Sequence, residues 1–100
     1  MRLTPKELER ATLFTVAEMA RKRRSRGLKL NHPEAVALIS DEIMEEARAG
    51  KSYEEVMDVG SRVLARADVL DGVAELASPI KVEAGFDSGT KLVVIDRPIR

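Results

Sequence analysis

Residues 80–95 read IKVEAGFDSGTKLVVI, and this stretch decides whether the chain is wholly helical or mixed. Ile80, Val82, Ala84 and Phe86 alternate with Lys81, Glu83 and Gly85, which is the period of a strand with one covered face. Asp87-Ser88-Gly89 suits a three-residue hairpin loop with glycine at the left-handed position. A first strand is therefore expected over about 80–86 and a second over about 90–96. Within the second, Leu92 to Ile95 is apolar on both faces. Two strands by themselves are marginal in water, so elements upstream must cover this hairpin.

Upstream, one local pattern occurs three times. Thr4-Pro5-Lys6-Glu7, Asn31-His32-Pro33-Glu34 and Ser52-Tyr53-Glu54-Glu55 each place a side-chain acceptor at a helix entrance with glutamate three residues on. Acceptor and glutamate can satisfy each other's orphan amides, and proline near the first helical position needs no donor there. Helices are expected over about 5–25, 33–48 and 53–65, with Gly27 and Gly50 as stops for the first two. Gly60 interrupts the third at a cost of about 1 kcal/mol relative to alanine, which points to close contact with another backbone. A short fourth helix over about 67–72 would stop at Gly72. The expected fold is α+β: an antiparallel bundle of three main helices plus a short fourth, then a C-terminal β-hairpin. Residues 1–100 would form a single domain, because a second core does not fit this length.

The first helix is unusual in its apolar coverage. Leu8, Ala11, Thr12, Thr15 and Met19 share one face, Leu13, Phe14, Ala17 and Ala20 cover much of the rest, and Glu18 is the only charge from Ala11 to Ala20. Such a helix is buried on more than one side, which in a short chain calls for a partner.

Composition narrows the function classes. Seventeen basic residues balance seventeen acidic ones, so net charge gives no long-range pull toward polyanions or membranes. Cysteine is absent, which removes disulfides and thiolate chemistry and suits a reducing compartment. No run approaches the ~18 apolar residues of a membrane span, and the polar opening MRLTPKELER is no signal peptide. The cytoplasm is the expected location.

The chemistry-bearing residues are few. His32 is the only histidine, and its place beside a helix start is explained by capping rather than by catalysis or metal ligation. A transition-metal centre collects several imidazole, thiolate and carboxylate ligands, which this chain cannot supply. The acidic pairs Asp41/Glu42, Glu45/Glu46 and Glu54/Glu55 could in principle act as acid and base. Adjacent helical positions diverge, however, and although Asp41 and Glu45 share a face, they read as solvated helix surface. Ser25, Ser40, Ser52, Ser61, Ser78 and Ser88 have no activating partner in sequence, and the chain has neither a nucleophile elbow nor a phosphate loop.

The basic run Arg21, Lys22, Arg23, Arg24, Arg26 and Lys29 supports one alternative, a small helical nucleic-acid-binding protein. Against it, the connection after the first helix spans about six residues, longer than a helix-turn-helix uses, and no aromatic residues interleave with the cations. Cations over a helix C-terminus that pair with acidic neighbours are the simpler reading.

Four stretches carry a resemblance over essentially the whole chain: RLTPKE near the start, RGLKLNHPEAVALI, GKSYEEVMDVG, and the ending VEAGFDSGTKLVVIDRPI. Together they resemble the gamma subunit of bacterial urease. The resemblance implies a structural, non-catalytic chain that joins alpha and beta subunits in a unit repeated about a threefold axis. The assembly would hydrolyse urea to ammonia and carbamate, which breaks down to carbonic acid and a second ammonia. It further implies that two nickel ions do the chemistry, that their ligands all belong to the alpha subunit, and that this chain has no catalytic, cofactor-binding or metal-binding residues. On that reading the apolar face of the first helix and the strand Leu92–Ile95 are interface, and aspartate at Val93 or Ile95 is expected to disrupt assembly.

Overall fold

The computed structural model describes all 100 residues. Helices α1 (Pro5–Ser25), α2 (His32–Arg48) and α3 (Tyr53–Gly60) are followed by a 3-10 turn at Arg66–Asp68. The one-turn helix α4 (Val73–Leu76) and strands β1 (Ile80–Phe86) and β2 (Gly89–Ile95) complete the chain. The expected α+β fold is thus present, helices first and an antiparallel hairpin last.

All three capping boxes form. The Thr4, Asn31 and Ser52 side chains accept from the amides of Glu7, Glu34 and Glu55, and each glutamate accepts from the cap residue's own amide in return. These contacts link residues three apart, which is why sequence alone locates them.

Helix α2 is the hub. α1 packs on one side of it, and α3 and β1 pack on others. α1 and α2 run antiparallel, since Arg10 near the start of α1 meets Glu45 while Arg23 near its end meets Glu34. Leu38, Ile39 and Ile43 of α2 are almost wholly removed from water, each such burial being worth roughly 1.5–3 kcal/mol. They meet Val56, Leu64, Val69 and the inward hairpin residues Ile80, Val82, Ala84, Val93 and Ile95 in one core. Ala20 is the sole contribution of α1 to that core.

Several expectations need correction. α3 ends at Gly60 rather than near residue 65, because the chain must turn for Leu64 to enter the core. The Gly60 contact is with side chains, not backbone: a Cβ there would stand 2.5 Å from Ile95 Cδ1 and 3.0 Å from Ile43 Cγ1. The helix expected over 67–72 is only the end of the 3-10 turn, which stops at Asp68 because Val69 lies extended beside Leu30 in an isolated bridge; Gly72, at φ +84°, precedes α4 instead of stopping a helix. The hairpin turn has two residues, Asp87 and Ser88, with Gly89 already paired to Phe86 at φ +119°.

Val93 and Ile95 also change role. They are 0% and 2% exposed within the chain's own core, whereas Leu92 is 51% exposed and Val94 half-buried. The alternation of a strand sends one pair inward and the other outward, so only Leu92 and Val94 remain for a partner.

Candidate functional site

The seam between α1 and α2 is charged. Asp41 is buried between two arginines: Arg10 Nη1 approaches its Oδ1 at 2.8 Å, and Arg21 Nη2 donates to its Oδ2. The Arg10 approach is a charge contact without hydrogen-bond alignment. Arg10 also donates to Glu45 at 2.8 Å, and Arg21 to Glu42 at 3.0 Å and to Glu18. Burial disfavours the Arg21 cation, yet the carboxylates of Asp41, Glu42 and Glu18 outweigh it and raise its pKa above the ordinary value. Further along, Arg23 donates to Glu34. Burial pushes the Glu34 carboxyl up, but the Asn31 amide and the Arg23 guanidinium more than reverse this and hold it below the ordinary carboxylate value.

The reading of Asp41 as solvated surface is therefore overturned: it is 1% exposed and ion-paired to both Arg10 and Arg21. Glu46 pairs with Lys51 and Glu55 caps α3, so most of the acidic pairs serve structure. The seam had a signal in the sequence, since Arg10, Ala17 and Arg21 repeat at helical spacing on one stripe.

Half of the basic run is spent on ion pairs within the fold. Arg21 and Arg23 face α2, Arg24 reaches Asp68 at 3.4 Å, and Lys22, Arg26 and Lys29 make no ion pair. Nothing in this arrangement favours a nucleic-acid surface. His32 is exposed at the first residue of α2, and no group of three or more potential ligands stands together to hold a metal. The residues of this chain do not fit a nickel centre.

Two surfaces remain. On α1, the face read from the sequence, Leu8, Ala11, Thr12, Thr15 and Met19, points entirely to solvent, with Phe14 beside it. Leu8 is 57% exposed, Phe14 47% and Met19 44%; a contiguous apolar stripe of this kind marks an interaction surface. The second surface is a groove of about 1270 Å³ with α1 on one side, α2 as floor and β1 on the other. Val36, Ala37 and Met44 lie in its floor. His32, Glu45 and Glu83 also line the groove. Both surfaces leave apolar area at the surface of the chain.

Comparison with known proteins identifies the family. Residues 1–99 match the family model described as urease, gamma subunit. The chain belongs to the urease gamma-subunit family. Two relatives are each named "Urease subunit gamma/beta". One, from Pseudomonas syringae pv. syringae (strain B728a), is 57% identical over 100 residues, and one, from Pseudomonas syringae pv. tomato (strain ATCC BAA-871 / DC3000), is 56% identical over 100 residues. All of this chain is covered in both alignments, but it spans only 43% of the length of either relative. Within the urease gamma family, then, this chain corresponds to part of a longer polypeptide in these bacteria. No helix is long and apolar enough to cross a membrane.

Proposed function

We propose that this chain is a structural, non-catalytic subunit of a nickel-dependent urease, and that residues 1–100 act as one unit in it. Its partners are the urease alpha and beta subunits, in an alpha-beta-gamma unit repeated about a threefold axis in the cytoplasm. The assembly hydrolyses urea to ammonia and carbamate, with carbonic acid and a second ammonia following. The two nickel ions belong to alpha, and this chain contributes no catalytic or metal-binding residue.

The observation that carries the reading is the family match over residues 1–99. The outward face of α1 gives it physical content. Exposed apolar side chains cost free energy in an isolated chain and are favourable in an obligate interface, which resembles a domain core cut in half. Leu8→Glu combined with Met19→Glu tests it, because both side chains are exposed and their loss spares the core. Co-expressed with alpha and beta, the double variant is expected to stay folded by circular dichroism but to drop out of the co-purified assembly. A variant assembly of unchanged size and urea turnover refutes the use of this face.

A further inference from the structure

The hairpin has two outer edges, and the molecule treats them differently. In an antiparallel pair, alternate residues turn both N–H and C=O away from the partner strand. With Phe86 opposite Gly89 across a two-residue turn, those residues are Lys81, Glu83 and Gly85 on β1 and Thr90, Leu92 and Val94 on β2. On β2, the Tyr53 hydroxyl donates to the Leu92 carbonyl at 3.0 Å and covers the edge. On β1, nothing in the chain bonds to the outward backbone groups of Lys81, Glu83 or Gly85. That free edge forms one wall of the groove, where Glu83, Ala84 and Gly85 face the first half of α1. Gly85 puts no side chain beside this edge, and the sheet face above it is open, since a Cβ there would meet nothing within 4 Å.

We propose that the β1 edge receives an extended segment of a neighbouring urease subunit, which adds as a third strand between β1 and α1. Unpaired edge groups are a template for strand addition, with main-chain bonds supplying affinity and pockets for alternate side chains supplying specificity. Here the floor is apolar, so the segment carries apolar side chains at every second position, turned onto Val36, Ala37 and Met44. About six extended residues, at roughly 3.3 Å each, match the reach of β1. A second copy of this chain does not suit the site. Antiparallel pairing of β1 with itself about Glu83 sets two carboxylates directly opposite, and the copy's β2, on the far side of its β1, needs the space this α1 already fills. The source of the segment rests on the assembly role proposed above; the open edge does not.

Amide hydrogen exchange on the isolated chain and on the co-expressed alpha-beta-gamma assembly tests the proposal, together with two variants. Proline at an outward-facing strand position removes an edge N–H without breaking the hairpin ladder, so Gly85→Pro blocks addition while Gly85→Ala keeps the donor. The expected result is that the Lys81, Glu83 and Gly85 amides exchange freely in the isolated chain and slow in the assembly. Gly85→Pro is expected to weaken association about tenfold or more, and Gly85→Ala to leave it unchanged. Three results overturn the proposal. If the assembly forms while these amides stay fast, the strand is wrong and the assembly role survives. If they are already slow in a self-associated isolated chain, the occupant is a second copy. If no assembly forms, both readings fall.

Discussion

At the scale of single residues, the account rests on side chains with more than one duty. Asn31 caps α2 and also lowers the pKa of Glu34 through its backbone amide. Asn31→Ala should therefore cost about 1 kcal/mol or slightly more in urea unfolding. His32→Ala, beside it but exposed, should change stability by less than about 0.5 kcal/mol. Glu34, with Glu7 and Glu55, is held below the ordinary carboxylate value. A depressed folded pKa gives stability that is full above the ordinary carboxylate range and lost as pH falls toward the folded value. Unfolding followed from pH 6 to pH 3 should thus show falling stability, with a shallower slope in Glu34→Gln. Gly60→Ala pits a helix-propensity gain of up to about 1 kcal/mol against overpacking on Ile43 and Ile95, both wholly buried. Overpacking costs about 1–3 kcal/mol, so a net loss of about 1 kcal/mol is expected. Caps were legible in the sequence because their partners lie three residues away. The role of Asp41 was not, because its arginines come from another helix.

At the scale of elements, α1 stands apart. The core is complete without it save for Ala20, and its seam with α2 is built from small side chains and ion pairs. Removing one partner of a buried pair leaves the other uncompensated. Because both arginines are about a third exposed, solvent moderates the penalty, and Asp41→Ala should cost roughly 2 kcal/mol. The loss should be local: amide exchange should accelerate across residues 8–22 more than at Leu38–Ile43. Equal acceleration throughout would show that α1 belongs to the same cooperative unit. The hairpin carries the opposite lesson. Alternation located β1 correctly, but the apolar run Leu92–Ile95 gave no indication of which side faces inward; that was set by the packing of α2 and α3. Val93→Asp and Ile95→Asp should therefore unfold the chain rather than simply block assembly, while Leu92→Asp should leave it folded.

At the scale of the whole molecule, periodicity and capping made the α+β architecture readable, while the partners that the Arg10–Arg21 stripe meets across the seam, and the free β1 edge, required the third dimension. The chain folds around α2 and leaves an apolar helix face and an open strand edge at its surface. In the proposed function such a molecule acts by what it holds together. The most direct measurement is to express urease alpha and beta with and without this chain, size the products and assay urea hydrolysis with nickel supplied. The account predicts full assembly and turnover only when the chain is present, and none from the chain alone. An alpha-beta pair that reaches the same size and the same activity without it would contradict the central claim.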